Sequence, residues 1–371
     1  MVSDNPRDKT VVLAGGIWFG CTTFGIGQGL RRLGWDVHEI DMGQFFPQYR
    51  SRWLRAIRRV VRPLAVRDYN EAIVEAVRAE KPRAFVTVKG EFVKGATLQE
   101  IADLGVARAN YYPDYRFSYP GVDEATFSLY SHFFSTKSFQ IPYLSNKLGV
   151  DKVTHLPHGY QPDAHRPPDD SLLQCRPPMD ILYVGSHTPW KEAWLAAVKR
   201  RFPHLQFRVY GNGWRKNADV RLFQDAIVGL PITGTAYARA IRSARITLAI
   251  HMGPSGTDGW QDLVSTRTFE IPACKGFMLH IDNEEVRQFF TPGKEIDVFA
   301  TKEELFEKIE FYLKHDSLRE AMIERAYARC VPVYSYDERA RVIAEWIERS
   351  QECTSGMTGN PAGDEQYKGK R

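Results

Sequence analysis

Twice along the chain an apolar strand pattern runs into a loop, then a helix, then another strand. That repetition constrains the fold more than composition does. The first copy opens with TVVLAG at Thr10–Gly15 and passes through the glycine-rich GIWFGCTTFGIG. It continues as a helix over Gln28–Leu33 and reaches a second strand over Trp35–Ile40. Strand patterns follow at Arg83–Lys89, Ala109–Asp114, His132–Thr136 and Val153–Pro157. The second copy opens with MDILYVG at Met179–Gly185. A helix over Lys191–Phe202, a strand over Phe207–Tyr210 ending in GNGW, and strands at Ile246–Ile250 and Phe277–Ile281 follow it. Strands alternating with helices predict parallel, doubly wound sheets. A chain of 371 residues also exceeds one ordinary core. The proline- and acid-rich QPDAHRPPDD separates the copies, which places a domain boundary near Asp163–Pro178. The prediction is an α/β chain of two Rossmann-like doubly wound domains, spanning 1–165 and 179–333 and joined by a linker at 166–178. A helix over 334–350 and a small, polar tail at 351–371, expected to be disordered, complete it.

Hydrophobic residues at 43% and aromatics at 12% fit a globular protein. No apolar run approaches the roughly twenty residues of a membrane helix, and MVSDNPRDKT lacks a signal-peptide core. The five cysteines are scattered without CxxC spacing, which fits reduced thiols and argues against structural zinc. The expected compartment is therefore the cytoplasm, with peripheral contact at the inner membrane face as an option. A net charge of +5 does not by itself name an anionic partner. The first loop does not match GxGxxG, so binding of a nicotinamide cofactor has little support.

The stretch VSTRTFEIPACKGFML, Val264–Leu279, concentrates chemistry between apolar residues. Ser265 and Thr266 are N-cap residue types, Glu270 falls on the short helix behind them, and Lys275–Gly276 stops it. Helix amides with Arg267 could hold oxyanions while Glu270 accepts from a diol. The alternative is a plain ion pair between Arg267 and Glu270 at (i, i+3) spacing. Elsewhere, Arg50–Arg67 carries seven arginines and no acid, interleaved with Trp53, Leu54, Ile57, Val60, Val61 and Leu64 at helical spacing. It reads as a basic amphipathic helix, either the solvated face of a packed helix or a surface for an anionic polymer or lipid headgroup. Asp114, after Pro113 at a strand end, is a candidate base or an Asx-turn residue. His158 and His251 are candidate proton donors or acceptor contacts, or histidines without a role.

By these residues the chain resembles GT-B glycosyltransferases, close to the CgeB-like (spore maturation) family. VTHLPHGYQPDAHRP, ILYVGSHTPWK and FRVYGNGW match family segments. RTFEIPACKGFMLHIDNEEVRQFFTPGKEIDVF follows the pattern RTFEIPACGGF…FFEPGKE, with Lys275 in place of the second glycine. The resemblance implies a GT-B fold, an acceptor-side N-terminal domain, a nucleotide-sugar-binding C-terminal domain and a last helix packing back on the first domain. Asp262 and Glu270 have the spacing of the two acids of retaining GT-B enzymes, with aspartate for the first glutamate. The resemblance gives Glu270 the ribose hydroxyls and Asp262 the donor sugar. The Gly15–Gly16 loop would lie under the donor sugar or the acceptor. No DxD metal motif appears, so the charge of a leaving diphosphate falls to Arg267, Lys191 and the backbone at Gly185–Ser186, with Gly211 in the GxG turn.

The expected activity is metal-independent, retaining hexosyl transfer from a UDP-, GDP- or TDP-sugar, with Asp114, His158 and Asp262 as the catalytic candidates. No permanently bound cofactor is expected, and the acceptor is open: a glycan, a lipid-linked sugar, a protein or a modified nucleic acid. Two other readings remain at this stage. One is a nucleotide-sugar epimerase on the same fold, and the other a nucleic-acid or anionic-surface binding protein working through Arg50–Arg67.

Overall fold

A computed structural model of the chain describes residues 9–46, 52–169, 179–254 and 260–355, with backbone alone at 52–59, 220 and 351–355. Strands β1 (Thr10–Gly15), β2 (Asp36–Asp41), β3 (Ala84–Val88), β4 (Ala107–Tyr112), β5 (His132–Ser135) and β6 (Val153–His155) form one parallel sheet in the order β2-β1-β3-β4-β5-β6. Every residue of TVVLAG and AFVTV is buried. Parallel strands covered on both faces read as continuous apolar runs for this reason. β2, at the edge, instead alternates between exposed and buried. The connecting helices are α1 (Thr22–Arg32), α2 (Met42–Phe45), α3 (Arg52–Glu80), α4 (Gly95–Asp103) and α5 (Ile141–Leu148).

The second sheet is also parallel, in the order β11-β10-β9-β7-β8. It comprises β7 (Met179–Val184), β8 (Phe207–Tyr210), β9 (Ala244–Ala249), β10 (Met278–Ile281) and β11 (Asp297–Phe299). Around it lie α6 (Pro189–Arg201), α7 (Trp214–Asn217), α8 (Val220–Phe223), α9 (Gly234–Arg242), α10 (Thr266–Ala273), α11 (Val286–Phe289), α12 (Lys302–Lys314) and α13 (Asp316–Cys330). Each sheet is sandwiched between two apolar clusters, so the chain has two independent cores.

The last helix, α14 (Tyr336–Ser355), leaves the second sheet and packs on the first. Tyr336, Ala340, Ile343 and Ile347 are buried against Val11, Leu13, Ile26 and Leu30. Gly25, expected in a loop, and Gly29, expected in a helix, share a use in packing. The loop ends early, because the Cys21 thiol caps α1 by accepting from the Phe24 amide at 3.3 Å. Gly25 and Gly29 then sit on the helix where α14 crosses it. A Cβ on Gly29 would lie 2.6 Å from the Ala340 Cβ and 3.0 Å from the Asp337 Cα. Their small size serves helix packing and not loop freedom.

The two halves meet at several points. The Tyr160 amide donates to the Tyr334 carbonyl at 3.0 Å, and the Tyr336 amide donates to the Tyr160 carbonyl at 2.8 Å. Trp260 packs its ring 5.6 Å from Phe117 and 5.5 Å from Phe139. α14 continues helically through residues 351–355, where the sequence pattern predicts the start of a disordered tail; residues 356–371 and the linker positions 170–178 lie outside the described residues. Of the basic segment, Arg50 lies outside them too. α3 runs through Pro63, and Val60 (79%), Val61 (42%) and Leu64 (53%) are exposed on it. No helix among the described residues is long and apolar enough to cross a membrane.

Candidate functional site

The carboxyl ends of both sheets open onto one cavity of about 520 Å³. That is where ligands sit in open parallel sheets, because helix N-termini and strand-end loops converge there. The first half contributes Gly16 and Trp18 after β1, Cys21–Thr23 at the start of α1, Lys89 and Glu91 after β3, and Pro113–Asp114 after β4. The second half contributes Gly185 and Ser186 after β7, Gly211 and Asn212 after β8, Tyr237 on α9, and Thr266, Arg267 and Glu270 on α10. An adjoining chamber of about 720 Å³ shares Gly16, Trp18, Met42, Lys89 and Glu91, and reaches Phe46, Arg62, Phe92 and Tyr119.

α10 begins at Thr266 after Ser265, whose amide donates to the Thr268 hydroxyl at 3.2 Å. Lys275, in a left-handed conformation at φ 57°, ends the helix with Gly276 behind it. Arg267 and Glu270 are one turn apart but form no ion pair, and Arg267 has no carboxylate partner among the described residues. Its Nη2 lies 3.4 Å from His251 Nδ1, its guanidinium carbon 5.9 Å from the centre of the Tyr183 ring, and its Nε has no partner. A half-buried cation left this way favours an anion arriving from the cavity.

Glu270 is buried, and His165 stands beside it, with Nε2 at 3.7 Å from Oε1. The Gln161 amide donates to His165 Nδ1 at 3.1 Å, so the ring proton sits on Nε2, facing the carboxylate. Burial pushes His165 down, and Glu270 partly opposes this. Tyr237 closes the same corner, its hydroxyl pushed well above its usual range by burial and then by Glu270.

Gly211 has a steric reason for its place in the turn after β8. A Cβ there would lie 2.1 Å from the Gly185 carbonyl oxygen, and its φ of +141° disfavours side chains. The Trp214 indole donates to the same carbonyl at 2.7 Å, which ties the two loops together. Lys191 lies behind Ser186 and does not line the cavity. Its ammonium donates to the Ser186 carbonyl at 3.3 Å, and burial followed by Arg267 brings it down to about 7.

On the opposite wall Lys89 bridges two acids, with Nζ at 2.9 Å from Asp114 and 3.2 Å from Glu91. Lys89 itself adopts φ 72°, a conformation costly for a side chain and characteristic of functional loops. Asp114 thus faces the cavity, with its carboxylate turned to Lys89. Its carbonyl accepts from Gln140 at 3.0 Å.

Of the sequence candidates, Gly16, Asp114, Gly185, Ser186, Gly211, Arg267 and Glu270 come together around this cavity. Gly15 stands just behind Gly16. Besides Lys191, three others are placed elsewhere. The Asp262 carboxylate is taken by the buried Lys137 ammonium at 2.5 Å and does not line the cavity. His158 is buried, with a ring nitrogen bonded to the Pro113 carbonyl and Nδ1 without a partner, while its own carbonyl accepts from Arg339 at 3.2 Å. Burial holds it well below the usual histidine range, so it is a packed neutral ring that does not itself line the cavity. His251, expected to face the cleft, is buried against His280. Sequence reasoning missed Lys89, Glu91, His165 and Tyr237. Lys89–Gly90–Glu91 at a strand end was the one signal available, whereas His165 sat inside a segment that read as linker.

One wall therefore offers a cation, a buried carboxylate and helix amides, and the other a lysine between two acids. Such a cavity suits a ligand that is anionic at one part and hydroxylated at another. The family described as glycosyl transferase-like matches residues 188–345. A glycosyltransferase from Rickettsia africae superposes with a TM-score of 0.66 at 13% identity, covering 93% of this chain and 99% of that one. Sucrose-phosphate synthase from Thermosynechococcus elongatus gives 0.65 at 14% identity, covering 93% and 100%. A UDP-GlcNAc 2-epimerase from Neisseria meningitidis, bound to UDP-GlcNAc, gives 0.51 at 11%, covering 92% and 100%. No curated protein matches the sequence. The chain has the GT-B fold, and its second half is similar to the glycosyl transferase-like family.

Proposed function

We propose that the protein transfers a hexose from a nucleotide-sugar to a hydroxyl acceptor. The observation that carries this is Arg267, a cation without a carboxylate partner, one helical turn from the buried Glu270 in a cavity between two parallel sheets. Glu270 accepts from the ribose hydroxyls. Arg267 holds the diphosphate, and Lys191 stands behind it. Each charge-assisted hydrogen bond contributes roughly 1.5–3 kcal/mol, so two or three of them offset much of the charge that builds on a departing diphosphate. That supports transfer without a divalent cation. Asp114 lies across the cavity, where an acceptor hydroxyl would give up its proton. The reading keeps Glu270 and gives up Asp262 and His158 as catalytic groups. With Asp262 goes the acid spacing that had supported retention of configuration.

The adjoining chamber beside Lys89 and Trp18 takes the acceptor. Exposed Val60, Val61 and Leu64 on the basic helix α3 favour a lipid surface over nucleic acid as the neighbour, because apolar side chains gain little from a phosphate backbone.

Incubating the protein with UDP-, GDP- and TDP-sugars in EDTA tests the activity. Release of nucleoside diphosphate that disappears in Glu270→Ala is the expected result. A change in the donor sugar without release, seen by NMR, would make the protein an epimerase, and inertness toward the whole panel would overturn the reading.

A further inference from the structure

Beneath Arg267 lies a pair of histidines that touches neither the cavity nor solvent. His251, after β9, and His280, on β10, are 1% and 0% exposed. Their Nε2 atoms are 2.8 Å apart. His280 Nδ1 lies 2.6 Å from the Ile281 carbonyl oxygen, and His251 Nδ1 lies 3.4 Å from Arg267 Nη2.

The two ends of this chain fix where every proton sits. A carbonyl can only accept, so His280 carries its proton on Nδ1 and presents a lone pair at Nε2. A contact of 2.8 Å between two ring nitrogens needs one proton between them, and that proton belongs to His251 Nε2. His251 Nδ1 is then bare, and a guanidinium can only donate, so it meets the one atom suited to receive it. The Thr268 hydroxyl stands 3.0 Å from His280 Nε2 and accepts from the Ser265 amide. Any other tautomer of His251 would aim an N–H at the arginine.

Burial pushes both imidazoles down, His280 to about 4. Arg267, Lys137 and Lys191 face His251 and add to this, while Asp282 and Glu285 near His280 oppose it. Both rings are therefore neutral at neutral pH. A neutral pair can hold a cation without neutralising it, which a carboxylate in the same place would do.

We propose that His251 and His280 are positioning residues, a proton-ordered pair that aims the Arg267 guanidinium at the diphosphate of the nucleotide-sugar while leaving its charge free. The inference rests on reading Arg267 as the diphosphate anchor. It goes further in explaining why a half-buried arginine has a histidine, and no acid among the described residues, as its partner.

Calorimetry with whichever of UDP, GDP, TDP or ADP binds best, and with its parent nucleoside, tests both statements separately. If the wild type binds no nucleoside diphosphate better than its nucleoside, the diphosphate reading fails. If it does, His251→Phe, which keeps a ring but removes the acceptor, is expected to weaken the diphosphate about tenfold while leaving the nucleoside unchanged. His251→Asn, which returns an oxygen near Nδ1, is expected to recover most of that affinity. A diphosphate affinity unaltered in His251→Phe, or equal losses for diphosphate and nucleoside, would overturn the pair's positioning role. Should the variants fail to fold, imidazole ¹⁵N shifts of the wild type decide. One neutral ring protonated at Nε2 and a partner protonated at Nδ1 are expected, and two rings of like tautomer would sink the proposal.

Discussion

The Lys137 ammonium, 2% exposed, reaches from the first half of the chain to the Asp262 carboxylate of the second at 2.5 Å. It also donates to the Val264 carbonyl at 2.6 Å, just ahead of α10. Beside it the Ser138 hydroxyl bonds Glu285 at 2.6 Å. These contacts fix the entry to α10 relative to the first sheet, and so set where Arg267 and Glu270 stand across from Asp114.

Removing one partner of that pair leaves a buried charge unpaired. Asp262→Ala is expected to destabilise the protein by about 3–5 kcal/mol in urea unfolding, and Lys137→Met combined with Asp262→Leu to recover most of the loss. Asp262→Asn should bind nucleoside diphosphate with unchanged affinity. A large affinity loss in a folded Asp262→Asn would return this residue to the donor site.

Arg267 and Glu270 are expected to fail differently. Arg267→Ala should weaken nucleoside diphosphates at least tenfold and spare the parent nucleoside, since only the diphosphate meets the guanidinium. Glu270→Gln should weaken both ligands alike, and its effect should shrink for analogues lacking the ribose hydroxyls. Calorimetry over the two variants and three ligands reads the split. Equal sensitivity of deoxy and ribo ligands to Glu270→Gln would remove the ribose assignment.

The fold was legible where burial follows directly from residue type. TVVLAG and MDILYVG announce strands covered on both faces, and their repetition announces two sheets. Within the site, Glu270 and Arg267 were legible because a capped short helix puts both on one side within a turn. What was hidden depends on partners far away in sequence. Asp262 matched a spacing, but 125 residues separate it from the lysine that occupies it. His251 and His280 are 29 apart and share a proton only because β9 and β10 pair. Gly25 reads as a loop glycine, and neither it nor Gly29 shows a packing role until α14, more than 300 residues later, is laid across them.

Lys191 supplies a pH signature. Burial, then Arg267, lower it to about 7, so above that pH it is largely neutral in the free protein. A bound diphosphate favours the charged form and raises its pKa, so binding near pH 8 should take up a proton. Affinity should fall as pH rises through 7 toward 9, and should be nearly flat in Lys191→Met. Calorimetry in two buffers of different ionisation enthalpy measures the uptake directly. No uptake at pH 8 in the wild type would mean that Lys191 does not sense the ligand.

On α3, Val60, Val61 and Leu64 are exposed on a helix that also carries Arg62 and Arg67. Val60 at 79% and Leu64 at 53% exposure are one helical turn apart, so their apolar surface is continuous with each other and not scattered. A surface of this kind gains free energy twice at an anionic bilayer, once by burying methyl groups and once by charge attraction. The protein is expected to sediment with vesicles containing phosphatidylserine and not with purely zwitterionic ones. Raising salt toward 1 M shortens the Debye length to about 3 Å and should remove the charge contribution. Val60→Ser with Leu64→Ser should weaken sedimentation at low salt several-fold while nucleoside diphosphate affinity stays at the wild-type value, because neither side chain reaches the cavity. Equal sedimentation of wild type and double variant would mean that α3 is only a solvated helix face.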